Sequence, residues 1–171
     1  MLTDRELWDG LCQGNVESFE GFYRSQVGRL RSFLRLYVGN AQAAEDVAHE
    51  AFMQLWKHPN GFNPARSTLK SYLFGIARKR AADWWRHHRS PEVEAPPVQA
   101  ASQGEAGMLV EDALAQLEPE LRSLLWLREV EGYSYAELAE ILGTPIGTVK
   151  SRLFASRERL RKVWKGNATQ F

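Results

Sequence analysis

Apolar side chains recur at intervals of three and four residues along most of this chain, which predicts helices rather than strands. The pattern first runs through two helices within residues 3–38 and ends at Gly39. It resumes over residues 43–56 and again over 69–89, with a loop that contains two prolines between them. These elements predict an all-α protein that begins with a helical bundle.

A segment of different composition separates this bundle from the rest of the chain. Residues 90–107 contain three prolines, many small residues and no large aromatic one, which is typical of a linker. Beyond it the apolar spacing predicts four more helices, at about 108–117, about 120–131, 135–142 and from Pro145 onwards. The predicted organisation is two small helical domains, residues 1–90 and 108–171, joined by a flexible linker at 91–107 that gives them no fixed separation.

The last two helices carry local signals for a tight turn between them. Ser134 and Glu137 have the spacing of a capping box, which begins a helix. Gly143 can end that helix in the left-handed conformation without a Cβ penalty. Thr144 is a suitable cap for the next helix, and Pro145 fits its first turn. Two helices joined by so short a turn cross steeply, as in a helix-turn-helix motif.

The second helix of this pair separates apolar from basic residues. A spacing of four and three predicts a buried stripe at Val149, Leu153, Ser156, Leu160 and Trp164. The residues left largely off that stripe are Lys150, Arg152, Arg157, Arg161 and Lys162. A basic outer face suits a groove lined with phosphates, whereas the alternative is a helical hairpin whose basic face is only solvated. Caps, turn and charge agree, so they favour DNA binding.

The distribution of charge predicts a second contact with nucleic acid. The net charge is +1, yet residues 65–91 and residues 141–171 each carry seven basic side chains and one acidic side chain. Residues 92–140 carry two basic and eleven acidic side chains. Clustered Lys and Arg favour a phosphate backbone, whereas an evenly mixed surface does not. No apolar run approaches the roughly 20 residues needed to cross a membrane, and the acidic N-terminus is unlike a signal peptide, so we expect a cytoplasmic protein.

The basic helix at residues 69–89 also contains adjacent tryptophans, Trp84 and Trp85. Neighbouring helical residues diverge by about 100°, so at least one of these rings should lie near the surface. Aromatic rings beside cations stack unpaired bases, while the alternative is that one ring is core and the other covers a domain junction.

The sequence shows no pattern that is typical of metal binding or of catalysis. The four histidines lack ligand spacing, and the single cysteine, Cys12, is expected to be a small buried residue. No phosphate-binding glycine loop and no nucleophile with a partner base stands out. The sequence therefore predicts no catalytic residue, no metal site and no cofactor.

Two stretches resemble a known family, the extracytoplasmic-function (ECF, group 4) sigma factors of bacterial RNA polymerase. Residues 44–56 (AEDVAHEAFMQLW) with 71–86 (SYLFGIARKRAADWWR) resemble sigma region 2, and residues 117–153, which end in GTVKSRL, resemble region 4. The resemblance implies a transcription initiation factor, not an enzyme, that recognises minus-35 and minus-10 promoter elements and assists strand opening. It implies core RNA polymerase, promoter DNA as duplex and as non-template single strand, and an anti-sigma factor as partners, without membrane insertion.

The resemblance also assigns roles to individual residues. Binding of core polymerase is implied for Glu45, Asp46, Glu50, Phe52, Leu55 and Trp56. Minus-10 recognition and melting are implied for Phe62, Asn63, Lys70, Tyr72, Arg78, Lys79, Trp84, Trp85 and Arg86. Minus-35 recognition is implied for Thr148, Lys150, Ser151, Arg152 and Arg157.

A helix-turn-helix regulator with an N-terminal sensing domain is the main alternative. It explains the C-terminal half equally well. It does not explain the basic helix with two tryptophans, because a protein that reads only duplex DNA has no need to stack bases. A purely structural or anti-sigma-type module fails to explain the two clusters of basic residues.

Overall fold

Every regular element in residues 1–88 and 112–168, the part of the chain described by this computed structural model, is a helix. The N-terminal domain consists of α1 (Asp4–Cys12), α2 (Val16–Val38), α3 (Ala41–Lys57), a 3-10 turn (Pro59–Gly61) and α4 (Leu69–His88). The C-terminal domain consists of α5 (described at residues 112–115), α6 (Pro119–Glu129), α7 (Tyr135–Leu142) and α8 (Ile146–Ala168). The predicted all-α class with two helical domains is confirmed. The predicted linker at 91–107 lies outside the described residues.

Local capping explains where the helices of the C-terminal domain begin and end. The capping box of α7 forms as predicted, with Glu137 N donating to Ser134 Oγ at 3.1 Å and Ser134 N donating to Glu137 Oε2 at 2.7 Å. Gly143 adopts the left-handed conformation (φ 61°) and ends the helix. The predicted side-chain cap at Thr144 does not form, because its hydroxyl is buried without a hydrogen bond. Backbone N–H groups of the first turn of α8 instead bond to the carbonyl of Pro145.

The buried stripe of α8 is shorter than the sequence predicts. Val149, Leu153 and Ser156 are buried, but Leu160 is half-buried and Trp164 is exposed. Arg159 already pairs with Glu118, the residue that precedes α6. The helix that covers the first half of α8 is α6, which is shorter. The last turns of α8 therefore extend past α6, and Trp164 has no core to pack into.

The N-terminal domain is built on α2, α3 and α4, which bury aromatic and aliphatic side chains between them. Phe52 of α3 meets Phe22 and Tyr23 of α2, with ring centroids 6.4 and 4.6 Å apart. Phe33 of α2 meets Phe74 of α4 at 5.5 Å. This packing leaves one face of α3 and one face of α4 on the outside, and both faces carry charged residues.

The two domains contact each other directly, through α2 and α4 on one side and α6 and α7 on the other. Phe33 lies 6.3 Å from Trp126, and Phe74 lies 5.9 Å from Tyr133, between ring centroids. At Gly75 the helices approach so closely that an added Cβ would lie 3.7 Å from the carbonyl oxygen of Ile141. The buried residues of both domains consequently form one continuous cluster. The linker composition had suggested no fixed separation, and this interface gives the domains one.

A buried carboxylate joins the domains at the edge of this interface. Glu131 Oε2 accepts hydrogen bonds from Lys70 Nζ at 2.6 Å and from Arg29 Nη1 at 3.4 Å. Only 4% of the Glu131 side chain is exposed, and the ammonium group of Lys70 also lies 5.0 Å from the centre of the Tyr133 ring. A carboxylate this buried depends on its cationic partners to compensate for lost hydration.

Replacing Glu131 should therefore loosen the contact between domains. In Glu131→Ala the bonds to Lys70 and Arg29 are lost, and hydrogen bonds to charged groups contribute about 1.5–3 kcal/mol. We expect a larger radius of gyration in small-angle X-ray scattering. Glu129→Ala is the matched control, because Glu129 pairs with Arg157 inside the C-terminal domain. An unchanged radius in Glu131→Ala would show that the remaining contacts, which are the apolar packing and the hydrogen bond from the Tyr37 hydroxyl to Glu120, hold the domains together.

Candidate nucleic-acid interface

A polar cleft of about 620 Å³ lies between α4 and the loop that precedes it. It brings together three of the residues predicted to contact the minus-10 element, namely Asn63, Tyr72 and Lys79. Glu140 and Ile141 of α7 form part of the opposite wall. The cleft therefore combines basic, amide and aromatic groups, which are the groups that bind an unpaired base and its phosphate.

The remaining predicted cations on α4 lie outside the cleft. Lys70 is held by Glu131, as described above. Arg78 is half-buried beside the turn that ends α7, where a Cβ added to Gly143 would lie 3.9 Å from its Nη2. Arg86 is exposed and pairs with Asp83. The C-terminal domain thus covers the middle of the basic surface of α4 and leaves its end open.

The adjacent tryptophans have different environments. Trp85 Nε1 donates to the backbone carbonyl of Tyr37 at 2.7 Å, which anchors this ring to α2. Trp84 stacks on His88, with centroids 4.5 Å apart and planes inclined by 12°, and meets the edge of Trp85. Both rings are half-buried. Trp85 is thus anchored within its domain, and Trp84, which meets its edge, lies in a stack that a base could extend.

Phe62 lies in the core rather than in the cleft. Only 3% of it is exposed, and its ring packs against Trp8 at 6.1 Å and Tyr72 at 5.6 Å. The 3-10 turn at Pro59–Gly61 precedes Phe62 directly. Its proposed contact with a separated strand stays a prediction, and its position indicates that it supports Tyr72, which does line the cleft.

The α3 residues assigned to polymerase binding fall into two groups. Asp46 and Glu50 are exposed, and Glu45 is half-buried in a pair with Arg31 at 2.5 Å. Phe52 and Leu55 are buried in the core, so they hold the helix in place and do not reach its outer face. Trp56 is half-buried against Phe19, with centroids 4.9 Å apart. The outer face of α3 is therefore acidic.

On α8 the predicted minus-35 residues surround an exposed face. Lys150, Ser151 and Arg157 are exposed, whereas Thr148 and Arg152 are half-buried. Arg157 Nη2 donates to Glu129 Oε1 at 2.6 Å, and this hydrogen bond raises the pKa of the arginine. Burial, and then Glu120, raise the pKa of Tyr37 in the other domain, and Arg152 lies close enough to oppose part of that rise. Lys150 and Ser151 are thus the most available of this group.

Sequence reasoning missed Phe154, Arg66 and Arg80. Phe154 is 69% exposed and follows Lys150 by four residues, so it lies on the same face of α8. Its position one residue after Leu153, off the buried stripe, was the available signal. Arg66 and Arg80 line the cleft, and Arg80 also bonds Gln54 and Glu50 of α3. Those placements depend on how α3 and α4 pack, which the sequence does not encode locally.

Cys12 is exposed, not buried as expected. It lies at the end of α1, where its Sγ is 3.5 Å from Asn60 Oδ1. Desolvation, with a smaller effect of Asp9, raises the pKa of the thiol, so it stays protonated at neutral pH.

Within residues 1–88 and 112–168, no three His, Cys, Asp or Glu side chains converge as a metal ion would require. Of the helices described there, none has the length and apolar composition needed to cross a membrane.

Comparisons with known proteins agree with this arrangement. Residues 22–90 match the family model for Sigma-70 region 2, and residues 107–160 match that for Sigma-70, region 4. The ECF RNA polymerase sigma factor SigL of Mycobacterium tuberculosis is 34% identical over 77% of this chain and 79% of its own length. The RNA polymerase sigma-H factor of Pseudomonas aeruginosa is 28% identical over 95% of this chain and 96% of its own length.

Two solved structures have a similar fold. The sigma factor RpoE of Bartonella quintana, in complex with the anti-sigma factor NepR, has a TM-score of 0.71 and 28% identity, covering 87% of this chain and 98% of that one. CnrH, in complex with the cytosolic domain of CnrY, has a TM-score of 0.73 over 95% of this chain and 97% of that one. Its identity of 22% supports a likeness in fold alone.

The burial of Phe62 can be tested by its effect on stability. Phe62→Ala should lower the free energy of unfolding by about 3–5 kcal/mol, because it leaves a cavity in the core. Phe154→Ala, which removes the same ring from an exposed position, should change stability by no more than about 0.5 kcal/mol. Urea unfolding of the two variants measures both values. Similar small losses in both would place Phe62 at the surface instead.

Proposed function

Since this chain belongs to the extracytoplasmic-function family of RNA polymerase sigma factors, we propose that it divides promoter-directed initiation between two surfaces. The protein directs core RNA polymerase to promoters, as sigma factors do. The N-terminal domain would recognise and open the minus-10 element, and α8 of the C-terminal domain would read the minus-35 element. We further propose that the chain has no catalytic activity of its own and acts in the cytoplasm, where polymerase and DNA meet.

The observation that carries this proposal is the cleft beside α4. The side of the cleft formed by α4 and its preceding loop belongs to the N-terminal domain alone, so it is kept when the domains separate, and it presents Asn63, Tyr72 and Lys79 together. A pocket that senses a small ligand is lined mostly by apolar groups, whereas polar side chains such as Asn63, Lys79 and Arg80 line this cleft. The cleft thus favours strand capture over ligand sensing, while the helix-turn-helix at α7 and α8 is common to both functions.

Polymerase binding is proposed for the acidic outer face of α3. Asp46 and Glu50 are exposed there, and their partners, Gln42 and Arg80, belong to the N-terminal domain. Phe52 and Leu55 would contribute indirectly by fixing the helix. This division explains how α3 can remain available while the domains are in contact.

The contact between domains would keep the free chain from binding promoters well. Glu131 pairs with Lys70, and the end of α7 lies against the half-buried Arg78, so one candidate DNA contact is paired and another is partly covered within the chain itself. A carboxylate at Lys70 stands where a DNA phosphate would otherwise bind. Binding of core polymerase would have to separate the domains before both promoter elements are engaged. An anti-sigma partner is also proposed, since the related RpoE of Bartonella quintana is in complex with one.

Reconstituted transcription tests the proposed function. Core polymerase, supplied with this protein as its sole initiation subunit, should start transcripts at discrete promoters identified by mapping start sites after overexpression. The core enzyme alone should not. If the protein changed transcription only when another initiation subunit was present, the regulator alternative would replace this proposal.

Lys150 should contribute directly to minus-35 recognition. Loss of a base contact in the groove costs about 1–3 kcal/mol, so Lys150→Ala should weaken initiation at promoters that depend on this element by about tenfold. Arg152→Ala should act in the same direction. Lys162→Ala, which removes a positive charge three turns further along α8, serves as the control. Binding of core polymerase should not change in any of the three variants. Unaltered promoter use in both Lys150→Ala and Arg152→Ala would contradict the assignment of these residues to minus-35 recognition.

Trp84 and Trp85 should be needed when the strands separate. We expect Trp84→Ala holoenzyme to form closed complexes but few open ones on duplex promoters, and a premelted bubble should restore opening, since unstacking has then already occurred. Trp85→Ala should show the same defect and also lose stability, because its bond to Tyr37 is removed. Trp164→Ala, an exposed tryptophan of α8, is the control. Equal defects on bubble and duplex templates would indicate a packing role only.

A further inference from the structure

We propose that α1 is a positioning element for the minus-10 cleft, with Asp4 and Trp8 as its positioning residues. This inference rests on the proposed function of the cleft. Three residues of α1, spaced four apart, contact the loop between α3 and α4 or the start of α4: Asp4, Trp8 and Cys12. Residues at this spacing lie along one face of a helix. Leu7 and Leu11 face the core instead, so α1 has one apolar face and one face that follows the loop.

Asp4 caps the N-terminus of α4, although it lies 65 residues from Leu69 in the chain. Its Oδ2 accepts a hydrogen bond from the backbone N–H of Leu69 at 3.0 Å, in the first turn of α4. The first N–H groups of a helix have no partner within it, and a carboxylate there is stabilised by the helix dipole. Thr68 Oγ1 accepts from the next available donor, Ser71 N, at 3.1 Å. The start of α4 is therefore fixed to α1, and with it the position of Tyr72 one turn further on.

Trp8 reaches the wall of the cleft through two more aromatic rings. Its Nε1 donates to the carbonyl of Pro59 at 2.9 Å, and its ring meets Phe62 edge-on at 6.1 Å. Phe62 in turn packs against Tyr72 at 5.6 Å, and Tyr72 lines the cleft. Gly61 closes the other side, since an added Cβ would lie 2.3 Å from the Tyr72 hydroxyl. The Tyr72 ring is thus held between the loop and the side chains that α1 supports.

Cys12 provides the third contact, at the other end of α1. Its Sγ lies 3.5 Å from Asn60 Oδ1, within the 3-10 turn. A thiol is a weak donor, so this contact adds little by itself. It extends the row of contacts along the whole helix.

The loop needs such support because it has little regular structure of its own. No helix covers residues 62–68, and the Asn63 side chain bonds only locally, to the N–H of Ala65 at 2.9 Å. A site that distinguishes bases requires its groups to be held in place before the base arrives. We expect loss of the α1 contacts to reduce discrimination between bases in the cleft. The acidic outer face of α3 and the exposed face of α8 should keep their geometry.

The test compares holoenzymes that carry Asp4→Ala or Trp8→Phe. Trp8→Phe keeps an aromatic ring and removes the N–H that bonds Pro59. Asp9→Ala is the matched control, because it removes an exposed carboxylate from the same helix, and among the described residues the Asp9 side chain makes no hydrogen bond or ion pair with the loop. Asp4→Asn is the conservative variant, whose amide oxygen can still accept from Leu69 N. The probes are single-stranded non-template oligonucleotides that carry the minus-10 element of a mapped promoter, matched or with one base changed.

We expect both test variants to bind the matched oligonucleotide about tenfold more weakly and to lose discrimination against the mismatch, while Asp4→Asn and Asp9→Ala behave as wild type. Assembly with core polymerase and binding of minus-35 duplex should be unchanged. Wild-type discrimination in both test variants would overturn the proposal. So would equal losses for the two oligonucleotides together with weaker assembly, which would indicate general destabilisation. If wild-type holoenzyme did not prefer the matched oligonucleotide, the proposed function of the cleft would fail instead.

Discussion

The packing of α2 and α4 against α6 and α7 determines how the functional surfaces of this protein relate to one another. Phe33 against Trp126 and Phe74 against Tyr133 place the two domains face to face. Because these rings are bulky, and all but the half-buried Trp126 are buried, they fix the distance at which polar groups of the two domains meet. Glu131 reaches Lys70 only because of this contact, and α7 forms a wall of the cleft for the same reason.

The consequence is that the surfaces are not equally available. The acidic outer face of α3 and the face of α8 at Lys150 and Phe154 are exposed. The cleft and the middle of α4 lie beside it. A chain built in this way can present the proposed polymerase-binding face while part of the proposed promoter-binding face is in contact with the other domain. The charges on the two domains favour this internal contact. The acidic stretch at residues 92–140, which includes Glu131, meets the basic cluster at residues 65–91, which includes Lys70.

Local signals explain why much of the fold could be predicted from the sequence. The capping box at Ser134 and Glu137, and the left-handed Gly143, depend only on residues close together in the chain, and both form as expected. Apolar spacing likewise gave the helices that became α3 and α4. The same spacing could have shown that Phe52 and Leu55 are core residues, because both lie on the apolar stripe of α3.

Contacts between distant segments explain what the sequence did not reveal. Phe33 and Trp126 have the spacing of ordinary interior residues, so nothing in the sequence marks them as an interface between domains. Phe62 lies in a loop, where an aromatic ring suggests exposure, yet Trp8 and Tyr72 enclose it from elsewhere in the chain. Cys12 was expected inside and lies outside, because the face of α1 that carries it follows the loop and not the core.

The most direct test of this account is a titration of labelled promoter duplex with the free protein and with holoenzyme at the same physiological salt concentration. If the domain contact pairs Lys70 with Glu131 and partly covers Arg78, the free protein should bind weakly and discriminate little between promoter and unrelated DNA. Holoenzyme should bind the promoter tightly and discriminate well. Comparable affinity and discrimination in the two titrations would contradict the account and identify the chain as an autonomous DNA-binding regulator.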